Sequence, residues 1–248
     1  MTALAVEGLT HSFGGLQALN DVTVRAAVGE RLVVLGPNGA GKTTLFNAVT
    51  GLIRPRAGRI RLFDHDVTHL APHRRARLGL GRTFQITTLF PRLTVFDSVL
   101  LAVQGADGAR FALHRPARAY PRLFEAAERL LGEWGLRERG HVTTRQLSYG
   151  EQRQLELVLA LAARPRVLLL DEPTAGLSPG ETASVTAMIE RFPRDVTILL
   201  IEHDMDVALA LAERVIVLFQ GRVLAEGTRD QIRADPRVAE IYLGADDS

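Results

Sequence analysis

The chain has 248 residues, of which 46% are hydrophobic: enough for one large domain or two small lobes around a sizeable core, and too apolar for disorder. It has no cysteine, which excludes a disulfide framework and thiolate metal sites. The formal net charge is only +2, so the isoelectric point near 9.5 reflects a small excess of base rather than the basic patch that nucleic acid requires, and no nucleic-acid partner is expected.

In chain order, the opening MTALAVEGLTHSFGG has neither the basic start nor the long apolar run of a signal peptide. Residues 3–9 and 18–26 carry strand patterns separated by turn residues. Arg31–Leu35 (RLVVL) is a short apolar run that stops at glycine, the pattern of a buried strand. Lys42–Thr50 reads as a helix ended by Gly51, and residues 58–63 as another strand. From about 91 to 148 the chain turns rich in Leu, Ala and Arg, with helical spacing over 95–103 and 121–134. This predicts a helical insertion whose least regular stretch, 105–118, is a loop. Strand signals return at 166–170, 196–201 and 215–219, alternating with helices expected over 151–163, 180–192 and 205–213. That alternation implies a parallel sheet covered by helices. Gln220-Gly221 predicts a hairpin turn into 222–225. No apolar run reaches the roughly 18 residues of a membrane-spanning helix, so a membrane role has to come through a partner.

The strongest motif is Gly36-Pro37-Asn38-Gly39-Ala40-Gly41-Lys42-Thr43, followed by Thr44. It fits the phosphate-binding pattern GxxxxGK[ST], with the strand before it and the helix after it that the pattern demands. Glycines let consecutive N–H groups wrap phosphates, and the helix adds its positive end. Lys42 is the one lysine among 30 basic residues. As a compact point charge it suits the β- and γ-phosphates of ATP, while Thr43 can offer its hydroxyl to Mg²⁺. The second motif is the strand Val167-Leu168-Leu169-Leu170 ending in Asp171-Glu172. Asp171 is placed to hold Mg²⁺, and Glu172 to polarise an attacking water as general base. A DE pair closing a strand is also a common solvated turn; beside a phosphate loop the catalytic reading takes precedence.

The third motif, Leu147-Ser148-Tyr149-Gly150-Glu151-Gln152, opens a helix and resembles the LSGGQ signature of ABC ATPases. As bare chemistry, Ser148 is a helix cap whose helix end could face an anion. The other landmarks of that family stand in order: Gln85 resembles the glutamine that precedes the helical insertion and touches the metal. His203 resembles the switch histidine, and Phe13 the aromatic that stacks on adenine. Within the family, the stretches FGGLQA (13–18), GRTFQ (81–85), LSYGEQRQLE (147–156), PTAGLSP (173–179) and IEHDM (201–205) resemble the ATPases of branched-chain amino-acid importers, as does the tail IYLG. Two positions depart from the wider pattern: Tyr149 replaces a glycine of the signature, and Ser178 stands where many relatives have aspartate.

This resemblance implies an α/β phosphate-loop NTPase core with a parallel sheet flanked by helices, an N-terminal antiparallel β subdomain and an inserted helical subdomain. The core would span 1–90 and 164–248, and the helical signature subdomain 91–163. It implies Mg-dependent ATP hydrolysis, with Lys42, Glu172 and His203 catalytic. Residues 36–44 and Phe13 would bind ATP, and Thr43, Gln85 and Asp171 would surround Mg²⁺. Ser148, Tyr149, Gly150 and Glu151 would contact the ATP of a partner. The implied partners are a second ATPase that is a different chain, two transmembrane permeases and, indirectly, a periplasmic solute-binding protein, with this subunit peripheral on the cytoplasmic face of the cell membrane. Urea and amide importers share these features. A lipopolysaccharide-export ATPase, a soluble assembly ATPase, a DNA-repair ATPase and a regulatory ATP-binding module remain as alternatives. About a hundred residues between phosphate loop and signature are too few for the long coiled coils of repair enzymes. A regulatory module would be expected to lack Glu172 or His203.

Overall fold

The computed structural model describes residues 1–83, 89–107 and 120–243, without the side chains of Tyr242 and Leu243. Gln85 and most of the loop expected at 105–118 lie outside the described residues. The chain divides into two compact units, 1–82 with 166–172 and 192–248, and 83–165 with 173–191.

The first unit holds two sheets. One is antiparallel: β1 (Thr2–Phe13) pairs with β2 (Leu16–Ala27) and with β4 (Ala57–Leu62), which pairs with β5 (His65–Asp66). Between β2 and β4 the chain runs through β3 (Arg31–Leu35) and α1 (Lys42–Thr50). After β5 come α2 (Pro72–Arg77) and β6 (Leu80–Arg82). The second sheet is completed by β7 (Val167–Asp171), β8 (Thr197–Ile201), β9 (Arg214–Phe219) and β10 (Arg222–Gly227), in the order β10-β9-β3-β8-β7-β6. All its neighbours are parallel except the β9–β10 hairpin.

Every residue of β3, β7 and β8 is buried, as a parallel sheet covered on both faces requires. Helix α1 lies in the core with both sheets: Leu45, Phe46, Ala48 and Val49 join Leu4 and Val6 of β1 and Leu32 and Val34 of β3 in one apolar cluster. Gly51, in the left-handed conformation, ends α1 by donating to carbonyls of its last turn.

The sequence reading found no element between residues 63 and 91, yet α2 and β6 lie there. Helix α2 has almost no apolar face; it is anchored by Arg75, 1% exposed. The Arg75 guanidinium donates to the carbonyls of Ala48 and Val49 (both 2.6 Å), Leu70 (2.9 Å) and Thr68 (3.1 Å), tying the end of α1 to the loop before α2. Burial lowers its pKa to about 10, so it stays charged at neutral pH. Arg75→Ala would remove this charged donor from all four carbonyls at once, with, among the described residues, only that of Ala48 keeping its bond from Gly51 N–H. We expect a loss of about 3 kcal/mol and a thermal midpoint lower by about 6–12 °C, read by calorimetry.

The second unit is helical: α3 (Val95–Ala106), α4 (Pro121–Glu133), α5 (Tyr149–Ala162) and α6 (Pro179–Glu190), with short 3₁₀ turns at Arg137–Arg139 and Thr144–Gln146. Helix α4 buries Leu123, Ala126, Ala127 and Leu131, the spacing of one helix face. Helix ends shift by one to three residues from expectation, and two of the shifts have a clear place in the fold. Gly105 and Ala106, assigned to the loop, close α3; and α5 begins at Tyr149, two residues early, because Ser148 caps it. The segment 173–191, expected in the core, groups with the helical unit.

Back in the first unit, α7 (Met205–Leu211), α8 (Arg229–Ala234) and α9 (Pro236–Leu243) are the remaining helices among the described residues. Among the described residues no helix is long and apolar enough to cross a membrane.

Candidate functional site

Three neighbouring strands deliver the candidate residues of the first unit other than Phe13. β8 lies between β3 and β7, with Ile201 in register with both Val34 and Asp171. The phosphate loop therefore leaves the carboxyl end of β3, His203 follows β8, and Asp171-Glu172 closes β7, at one end of a parallel sheet where ligand sites form.

The loop is held close to its neighbours. A Cβ on Gly36 would lie 2.2 Å from the Leu218 carbonyl oxygen, and one on Gly41 would lie 2.6 Å from that of Ala18. Both glycines have positive φ, so no other residue fits this path. Ala40 is buried, and its carbonyl accepts from Gly221 N–H in the β9–β10 turn at 3.1 Å. Pro37, Asn38 and Gly39 form the loop's crest, and Thr43 and Thr44 open α1.

Lys42 is 6% exposed, and its ammonium donates to the Gly36 and Pro37 carbonyls. Burial lowers its pKa, and the charges of Glu172 and Asp171 push it back up. The lysine therefore feels both carboxylates of β7. Asp171 is 2% exposed and paired at 2.6 Å with Arg82 of β6, which also donates to the Asn47 side chain of α1 at 2.6 Å. Glu172 has φ +46°, an uncommon left-handed conformation for a glutamate, and its N–H donates to the Ile201 carbonyl at 3.0 Å. Strain of this kind collects at functional sites. His203 is exposed, just before Asp204, whose carboxylate caps α7 by accepting from Asp206 and Val207 N–H. Phe13 is exposed at the tip of the β1–β2 hairpin, edge-on to His11.

The oxygen donors Asp171 and Thr43 suit a hard cation such as Mg²⁺, which takes one or two protein oxygens and fills the rest with phosphate and water.

The signature lies in the second unit. Ser148 caps α5, its Oγ accepting from Glu151 N–H at 3.2 Å while the Glu151 carboxylate accepts from Ser148 N–H at 2.8 Å. Arg139 pairs with Glu151 at 2.9 Å. Tyr149 is exposed; its hydroxyl donates to the Ala175 carbonyl, and its ring lies against Gly176. Gly150 N–H donates to Glu181 of α6 at 3.1 Å. Sequence reasoning missed Arg82 and Glu181. The sequence marks Arg82 only as part of the stretch 81–85 around Gln85 and Glu181 not at all, and their partners Asp171 and Gly150 lie 89 and 31 residues away.

Fold and site together define a phosphate-loop nucleotide-binding cassette. A family model described as ABC transporter matches residues 19–175, and one described as branched-chain amino acid ATP-binding cassette transporter matches 222–248. The chain is 41% identical to the high-affinity branched-chain amino acid transport ATP-binding protein BraF of Pseudomonas aeruginosa, over 97% of each chain. It is equally identical, over the same shares, to LivG of Escherichia coli. Among solved structures, a nucleotide-free ATP-binding cassette from an ABC transporter superposes with a TM-score of 0.85 at 28% identity, covering 98% of this chain and 99% of that one. The ADP conformation of the cassette MJ1267 matches equally well. The chain belongs to the ABC transporter family, as one of its ATP-binding, ATP-hydrolysing cassettes.

Proposed function

We propose that the chain is the ATP-hydrolysing subunit of an importer for branched-chain amino acids or related small polar solutes. The observation that carries this reading is the 41% identity to branched-chain amino acid transport subunits along 97% of both chains. The same identity argues against lipopolysaccharide export. The subunit works on the cytoplasmic face of the membrane with two permeases, a second ATPase that is a different chain, and a periplasmic binding protein acting through the permeases.

The chemistry is assigned residue by residue. The backbone N–H groups of 36–44 cradle the phosphates of ATP, and the Phe13 ring stacks on adenine. Lys42 exchanges the Gly36 and Pro37 carbonyls for β- and γ-phosphate oxygens. Asp171, Thr43 and Gln85 would hold Mg²⁺, which when bound neutralises charge on those oxygens. Glu172 takes the proton of the attacking water, and His203 positions the γ-phosphate. Ser148, Tyr149, Gly150 and Glu151 face the ATP held by the partner ATPase, so each nucleotide joins two chains and its hydrolysis releases them.

The test is Ser148→Arg in the reconstituted complex, with photo-crosslinked nucleotide read on each ATPase separately. Closure around the partner's nucleotide should be lost while this chain still binds its own. A defect confined to this chain's phosphate loop would overturn the head-to-tail arrangement.

A further inference from the structure

The carboxylate of Glu181 sits on two helix N-termini at once. Its Oε2 caps α6, accepting from the N–H (3.0 Å) and the hydroxyl (2.8 Å) of Ser178. Its Oε1 reaches α5 and accepts from Gly150 N–H at 3.1 Å. Gly150 makes this approach possible, since a Cβ there would lie 2.6–2.8 Å from the carboxyl group. The hydrogen bonds from Ser178, with a smaller contribution from Gly150, hold the Glu181 carboxyl below the usual range, so it is an anion at neutral pH. Nearby, Glu151 N–H is already bonded to Ser148 Oγ, and the Glu151 carboxylate is matched by Arg139. The signature helix therefore presents its positive end to an anion that the chain itself supplies from α6. The tyrosine and serine that depart from the family pattern both adjoin this junction, Tyr149 through Ala175 and Gly176, Ser178 through the shared carboxylate.

We propose that Glu181 is a built-in competitor for the signature helix, and that the phosphate of the partner's nucleotide must displace it from Gly150 before the two cassettes close. This rests on the composite site proposed above. Glu181 thereby sets the nucleotide concentration at which closure occurs and links the signature to the 173–178 loop through Ser178.

The experiment uses Glu181→Gln, which keeps the shape and leaves one oxygen to cap Ser178, while the charge is removed and an amide NH2, which cannot accept from Gly150 N–H, replaces the second oxygen. The chain is mixed with the ATPase subunit that co-purifies with it, and association is followed by sedimentation as a non-hydrolysable ATP analogue is added. The variant should associate at about two- to fivefold lower analogue concentration, the size of a helix-end charge effect, and the gap should shrink at high salt. Nucleotide affinity of the isolated chain should not change. Association that is unchanged or weakened in Glu181→Gln would overturn the inference. If wild type and variant both fail to associate at any analogue concentration, the composite site itself is overturned, and the inference with it.

Discussion

Glu172→Gln is expected to trap ATP: nucleotide stays bound, the cassettes remain closed, and turnover falls on the order of 10²–10⁴-fold, the usual contribution of a general base. The amide matches the carboxylate in shape but cannot accept the proton of water. The backbone hydrogen bond from Glu172 N–H to Ile201 does not involve the substituted group and should persist. The buried Asp171–Arg82 pair beside it also stays intact, so nucleotide binding should survive. Steady-state hydrolysis and retention of labelled ATP through gel filtration check both halves. Turnover within about threefold of wild type would remove Glu172 from the role of base.

Lys42 should behave differently, losing binding and chemistry together. Its ammonium is buried among loop carbonyls and is drawn by two carboxylates, which places its charge at the mouth of the loop. Hydrogen bonds to charged groups contribute about 1.5–3 kcal/mol, so Lys42→Ala should weaken ATP binding about 10- to 100-fold and abolish measurable hydrolysis. Lys42→Arg should fail as well, because a broad planar fork does not fit where a point charge sits 6% exposed. Calorimetric titration with Mg-ATP and a phosphate-release assay separate the two losses. A Lys42→Arg chain with normal turnover would contradict this geometry.

Much of this molecule was legible from short-range pattern. RLVVL running into glycine marked β3, and VLLLD marked β7, because strands buried on both faces must be continuously apolar. The phosphate loop and α1 followed from residues adjacent in sequence. What escaped depends on distance or on backbone. Helix α2 has no apolar periodicity and is anchored by one buried arginine, so its pattern reads as a solvated turn. β6 is three residues long and exists only because it can pair with β7. The strain at Glu172 leaves no mark in residue type. The grouping of 173–191 with the helical unit follows from contacts such as Glu181 with Gly150, which no local motif announces. Tyr149 stood out in the sequence as a departure, but its meaning came from the Ala175 carbonyl 26 residues on.

The central claim, that ATP is held by the loop around Lys42, has a direct test because this is the one lysine in 248 residues. An amine-reactive reagent, with modification at Lys42 mapped by mass spectrometry, reports on that single ammonium. Saturating Mg-ATP should protect Lys42 strongly, and AMP, which lacks the β- and γ-phosphates, should not. Because the ammonium is buried in the loop, the reaction is run long enough to modify Lys42 measurably without nucleotide; modification that Mg-ATP then leaves unchanged would contradict the account.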